Sequence, residues 1–102
     1  MKFLVTLTAA GGRTFPDFQP YIVAEEKRVW ELYSAGVIRE MYLQLEPMRV
    51  SLIFEGADRA EVERQVGTLP MVQAQMLRID IAELGPWKLL ESLFEEQHKL
   101  WK

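Results

Sequence analysis

The 102-residue chain has no cysteine and a single histidine, His98. The first absence excludes disulfides, thiolate metal sites and a cysteine nucleophile. The second leaves no histidine cluster for zinc or for a facial iron triad. An excess of positive charge is missing as well. Twelve lysines and arginines face fifteen aspartates and glutamates, for a net charge of -3, so there is no basic stripe to neutralise phosphates and nucleic acid is not an expected partner. No apolar run approaches the ~20 residues of a membrane span. Any chemistry must therefore run on carboxylates, arginines, tyrosines and bound water, and no metal or cofactor is expected.

What is present is ordinary globular material: 49% hydrophobic and 26% charged residues, with six glycines and five prolines. The length is that of one domain. A chain this short buries only about two-thirds of its unfolded surface, which makes self-association an expectation from size alone. The first ten residues, Met1-Lys2-Phe3-Leu4-Val5-Thr6-Leu7-Thr8-Ala9-Ala10, loosely resemble a signal peptide. The alternation of Phe3, Val5 and Leu7 with polar neighbours fits a strand better, and a cytoplasmic location is expected.

Residues 2–8 read as that first strand. A loop with Pro16 and Pro20 leads into a helix that starts within residues 17–21 and stops at Gly36, in the position of a C′ glycine. Residues 37–45 and Arg49–Glu55 form a hairpin around Glu46-Pro47. Asp58 caps a second helix, with Glu61 completing a capping-box pattern, and Gly67 and Pro70 end it. A connector over 71–75 leads to a last strand over 76–84, broken by Gly85-Pro86. The tail carries Leu90, Leu93, Phe94, Gln97, Leu100 and Trp101 at helical spacing. The order β-α-β-β-α-β predicts an α+β, ferredoxin-like fold with a four-stranded antiparallel sheet over residues 1–86. Residues 87–102 add a C-terminal helical extension that serves as an arm or a lid.

Strand parity assigns Phe3/Val5/Leu7, Met41/Leu43/Leu45, Val50/Leu52/Phe54 and Leu77/Ile79/Ile81 to the helix-covered face. The opposite face carries Leu4/Thr6/Thr8, Glu40/Tyr42/Gln44, Ser51/Ile53/Glu55 and Met76/Arg78/Asp80. That mixture suits a homodimer interface or a water-lined surface.

Two residues break the apolar pattern. On the first helix, Ile22, Val29, Trp30, Tyr33 and Val37 trace a buried stripe, and Glu26 falls inside it. On the second strand, Arg39 shares parity with Met41, Leu43 and Leu45, so it is expected to point at the helices. A lone carboxylate and a lone guanidinium on facing elements are expected to pair, because each unpaired charge costs several kcal/mol to bury. Two readings follow: a structural ion pair at the edge of the core, or a small polar pocket with Trp30, Tyr33 and Met41 as walls. In the second, Glu26 acts as a proton-transfer base beside a carbonyl and Arg39 stabilises the developing enolate oxygen, without a cofactor. Asp80 and Arg78 fit an intersubunit contact better than catalysis, and Glu55 and His98 fit solvated positions.

The run Glu26-Lys27-Arg28-Val29-Trp30-Glu31-Leu32-Tyr33-Ser34-Ala35-Gly36-Val37-Ile38-Arg39-Glu40, then Gly67-Thr68-Leu69-Pro70-Met71 and Ile79-Asp80-Ile81-Ala82-Glu83-Leu84, resembles the muconolactone isomerase-like branch of the dimeric α/β-barrel superfamily. The resemblance extends from about Met1 to Trp87. It implies two sheets meeting across a homodimer or higher homo-oligomer, a small organic molecule bound in each subunit, and cofactor-free isomerisation of a lactone or enol. Val72-Gln73-Ala74-Gln75 replaces the apolar-aromatic-proline run that follows Leu-Pro in the isomerases, which brings the chain closer to the branch's uncharacterised members. The branch that works with a His–Asp pair does not fit a chain whose only histidine lies in the tail. Two other functions stay open: a non-catalytic ligand-binding or assembly module, and a cofactor-free oxygenase.

Overall fold

The computed structural model describes residues 1–95. Four antiparallel strands, β1 (Lys2–Ala9), β2 (Ile38–Gln44), β3 (Arg49–Glu55) and β4 (Leu77–Leu84), form one sheet in the order β2-β3-β1-β4. Helices α1 (Phe15–Phe18), α2 (Ile22–Ser34), α3 (Arg59–Val66) and α4 (Pro70–Gln73) complete the domain, and a 3₁₀ turn, Gln19–Tyr21, joins α1 to α2. This is the ferredoxin-like α+β arrangement expected from the order of elements.

Local signals account for the element ends. Asp17 accepts the Thr14 backbone N–H at 2.8 Å and starts α1, with Pro16 in the first turn where no donor is lost. The α2 helix ends where expected. Gly36 takes φ +78, and the Val37 and Gly36 amides donate back to Leu32 and Tyr33 carbonyls at 2.9 and 3.0 Å, a glycine-centred C-cap. Asp58 caps α3 by accepting the Glu61 amide at 2.8 Å. Glu61 reaches back to the amide of Ala57, at 3.1 Å, one residue before the cap.

One core lies between the sheet and the helices. Phe3, Val5 and Leu7 from β1, Leu52 and Phe54 from β3, Ile38 from β2 and Ile81 from β4 meet Leu32 of α2 and Val62 and Val66 of α3. A smaller cluster, Phe18, Met71 and Met76, closes the end near α1 and α4. Met76 joins it because Gln75 turns the chain at φ 58, so Met76 lies before β4 and not on the open face as parity suggested. Residues 71–73, expected as part of a connector, continue from Pro70 as the short α4.

Strand β2 corrects the parity reading in two ways. Ile38 pairs with Phe54, but Glu40 pairs with Ile53, so one extra residue is accommodated at Arg39. Such a bulge resets the alternation: Ile38 enters the core and Arg39 is exposed. Beyond the bulge, Met41 and Leu43 face the helix side opposite Leu52 and Val50. They stay 43% and 61% exposed, because β2 is an edge strand that overhangs the helical layer. Leu45, also expected in the core, follows the end of β2 and is exposed.

After β4 the chain runs into a 3₁₀ helix, Lys88–Phe94. The rest of the expected C-terminal helix, with Gln97, His98, Leu100 and Trp101, lies outside the described residues. Among the described residues no helix is long and apolar enough to cross a membrane.

The core predicts a sharp contrast. Phe54, fully buried, should lose about 3–5 kcal/mol of unfolding free energy on replacement by alanine. Leu45→Ala, at an exposed position, should stay within about 0.5 kcal/mol. Urea denaturation of the two variants checks both values.

Candidate functional site

The residues singled out in the sequence do not converge. Glu26 is exposed on α2. Trp30 and Tyr33 lie on the same outer side, 64% and 42% exposed, with ring centroids 6.1 Å apart. Met41 sits on the overhanging part of β2. Arg39 donates its Nε–H to the Gly36 carbonyl at 2.7 Å, and its charge acts on Glu55. The Glu55 carboxyl is held below the usual carboxylate range by the hydrogen bond from the Met1 ammonium, with Lys2 and Arg39 adding to the effect. Among the described residues the expected Glu26–Arg39 ion pair is not formed; the pairs present are those of Glu55 with the Met1 ammonium and Lys2, Arg28–Glu31 and Arg59–Glu63.

The inward carboxylate of α2 is Glu25, one residue earlier. It is 5% exposed, and its Oε1 accepts the backbone N–H of Met71 at 2.9 Å. The reason is the phase of the helix. Its inner stripe is Ile22, Glu25, Val29 and Leu32, at spacings of three, four and three, whereas the expected stripe followed the aromatics Trp30 and Tyr33. The signal was in the sequence: that spacing collects Ile22, Val29 and Leu32 without an exposed aromatic. Glu25 thus fills a need of α4, whose first amides have no partner within the helix. Burial raises its pKa above the ordinary 4.5; the Met71 N–H works against this and the neighbouring charge of Glu26 adds to it.

Chemistry-bearing side chains do gather on the sheet face away from the helices. The pairing registers Tyr42 with Ser51, Ser51 with Thr6 and Thr6 with Asp80, and cross-strand partners share a face. One polar row therefore crosses all four strands. The next row is Gln44, Arg49, Thr8 and Arg78, which places two guanidinium-bearing residues beside it. The row on the other side, Glu40, Ile53, Leu4 and Ala82, is apolar except at its β2 end. There the Tyr42 hydroxyl donates to Glu40 Oε1 at 2.8 Å. That hydrogen bond, and then the Glu40 charge, raises the Tyr42 pKa, so the phenol stays a donor at neutral pH. Among the described residues no α-helix packs on this face, and Thr6, Ser51, Leu4 and Ile53 at its centre are half-buried.

A separate open groove of about 290 Å³ lies on the helix side, between α3 and β4, among Arg59, Glu63, Val66, Val72 and Ile79. Its charges are already engaged: Arg59 bonds Glu63 at 2.9 Å and the Ile81 carbonyl at 2.9 Å. Neither Glu26 nor Arg39 borders it, whereas Asp80 of β4 does. Among the described residues no group of three or more histidine, aspartate or glutamate side chains is arranged to hold a metal ion.

The fold belongs to the ferredoxin-like α+β class. No family model matches the chain, and no curated protein matches it in sequence. Among solved structures, it is similar to 5-chloro-2-hydroxyhydroquinone dehydrochlorinase, TftG, from Burkholderia phenoliruptrix AC1100, determined in complex with 2,5-dihydroxybenzoquinone. The superposition has a TM-score of 0.70 and covers 86% of this chain and 97% of that one, at 17% identity. At that identity the likeness establishes a shared fold.

Glu25 generates a prediction with a definite sign. A carboxyl whose folded pKa is raised contributes stability that is complete below its unfolded value, near 4.5, and lost as pH rises through the folded value. Wild type should therefore lose stability relative to Glu25→Gln across that rise, because glutamine keeps an acceptor for the Met71 N–H without a charge. Glu25→Ala should cost about 1–3 kcal/mol at every pH, since it orphans that amide. Urea midpoints of the three proteins between pH 4 and pH 8 test both statements.

Proposed function

We propose that this chain is a cofactor-independent small-molecule enzyme, similar to the muconolactone isomerases in moving a proton on a lactone or enol, and that it works on the open face of its sheet. The observation that carries this is the polar row Tyr42, Ser51, Thr6 and Asp80 with Arg49 and Arg78 alongside. The β4 end of the row supplies a carboxylate, Asp80, for proton abstraction next to a carbonyl, and Arg78, two residues away on the same strand and face, supplies a guanidinium to stabilise the developing enolate oxygen. Thr6 and Ser51 form the floor. A homodimer with two such faces opposed supplies the roof, and a roof is needed because electrostatic stabilisation gains its strength where water is excluded. The fold shared with a dehydrochlorinase that binds 2,5-dihydroxybenzoquinone supports a small oxygenated ring as the ligand class.

Glu26 and Arg39 are replaced in this reading, since they stand in solvent and apart. The same facts favour one competing reading. Glu25 is tied to a backbone amide, and an enclosed cavity is not seen beside any carboxylate discussed above, as suits a non-catalytic ligand-binding or assembly module.

Steady-state turnover of simple unsaturated lactones, with calorimetric titration of 2,5-dihydroxybenzoquinone, separates the two. The enzyme reading expects Asp80→Asn to lower turnover about 100-fold or more, Arg78→Gln to lower it about tenfold or more, and Glu26→Gln to leave it unchanged. Equal turnover by wild type and Asp80→Asn contradicts the assignment of the base. Binding without any turnover points to the module.

A further inference from the structure

Thr8, near the end of β1, is the cross-strand partner of Arg49 on one side and of Arg78 on the other. Cross-strand partners share a face, so two guanidinium-bearing side chains flank one hydroxyl on the open side of the sheet. Each arginine Cα stands about 4.5–5.5 Å from that of Thr8, a spacing from which both side chains reach a single small anion above it. Thr8 is half-buried and both arginines are exposed.

These two differ from most arginines of the chain. Arg13 and Arg39 donate to the Ala10 and Gly36 carbonyls, Arg28 to Thr68 and Glu31, and Arg59 to Glu63 and the Ile81 carbonyl. Among the described residues the Arg49 and Arg78 side chains have no hydrogen bond and no ion pair. Asp80 lies two residues from Arg78 on the same strand and face, and the two do not pair. Arg64 is also unpaired, but it is a single charge on α3. In a chain whose net charge is -3, a bare pair of guanidiniums on one row is a local reversal of sign.

A guanidinium offers five donors in a planar fork and no acceptor, so two forks and a hydroxyl together fit an oxyanion. The charge of the surroundings selects the kind. Arg49 and Arg78 against Asp80 leave one positive charge, which a single carboxylate neutralises. A doubly charged phosphate leaves negative charge in excess beside Asp80 and is repelled by it.

We propose that Arg49, Thr8 and Arg78 form a recognition site for a carboxylate substituent on the ring compound this face takes up, and that Arg49 sets that specificity. The inference rests on the proposed function for the ring and for the use of the open face. Arg49 has no part in the proton transfer, which stays with Asp80 and Arg78. The Thr8 row and the Asp80 row are ~7 Å apart along the strands, so a six-membered ring with its carboxylate at Arg49 and Thr8 presents its far side to Asp80.

Benzoate, benzyl alcohol and phenyl phosphate, titrated into the full-length protein at low ionic strength and followed by NMR, test the site without requiring turnover. Benzoate should bind about tenfold more tightly than either of the others. Arg49→Gln should weaken benzoate about tenfold and leave benzyl alcohol unchanged. Arg49 is exposed, so this variant keeps the fold, which its amide spectrum checks. Arg64→Gln removes the same charge from α3 and should change neither ligand. Asp80→Asn removes the proposed base and should hold benzoate at least as tightly as wild type. A protein that binds benzoate through Arg49 but turns nothing over sinks the proposed reaction and leaves this site standing. Equal weakening of benzoate by Arg49→Gln and Arg64→Gln overturns the proposal, because bulk charge then accounts for the binding. So does phenyl phosphate bound as tightly as benzoate, and so does benzoate bound no more tightly than benzyl alcohol.

Discussion

A four-stranded sheet whose described α-helices pack on one side is the constraint from which the rest of this molecule follows. Ninety-odd residues build one layer of core, and it is spent on Phe3, Val5, Leu52, Phe54 and their helical partners. Helices α2 and α3 pack on that core face of the sheet, and among the described residues no α-helix is packed on the second face. Its side chains must therefore be compatible with water or with another molecule. They are a graded set: an apolar row through Leu4 and Ile53, a polar row through Thr6 and Ser51, and a row carrying Arg49 and Arg78. A purely solvated face has no need of Leu4 and Ile53, and a purely structural interface has little use for a Tyr–Glu pair beside arginines. The proposed function grows from that mixture.

The helical layer depends on a second contact of a different kind. Helix α2 and the Leu69-Pro70-Met71 corner are joined by the bond from the Met71 amide to Glu25. Burying an ionisable group is costly unless it is hydrogen-bonded, and here the carboxylate satisfies an amide that its own short helix leaves free. The leucine–proline corner thereby acquires a role visible in the structure. Proline opens α4 without losing a donor, and the next amide is free to take a side chain from α2.

The sequence was a good guide where local rules operate and a poor one where they are reset. The glycine stop of α2 at Gly36, the Asp58 cap and the alternation of β1, β3 and β4 were legible because each rests on contacts within a few residues. Arg39 was misplaced because a bulge changes parity without a local residue signature. Met41 and Leu43 lie on the expected face but stay exposed, because edge position depends on strand order, which is a tertiary property. Glu26 was preferred to Glu25 because the aromatics were assumed to be inside; on this chain Trp30 and Tyr33 are outside, and the helix phase is set by Leu32. The polar row was legible from parity in part. Its continuity across four strands required the register.

The central claim is that the uncovered sheet face pairs with its own copy, so that the site is complete only in the pair. Sedimentation mass at tens of micromolar, for wild type and for Thr6→Arg, tests it most directly, since Thr6 sits mid-face with its side chain on the side of the sheet opposite the core. The account predicts twice the 11.9 kDa chain mass for wild type and a single-chain mass for a still-folded Thr6→Arg. A wild type that stays at 11.9 kDa, or a Thr6→Arg protein that keeps the two-chain mass, would contradict it.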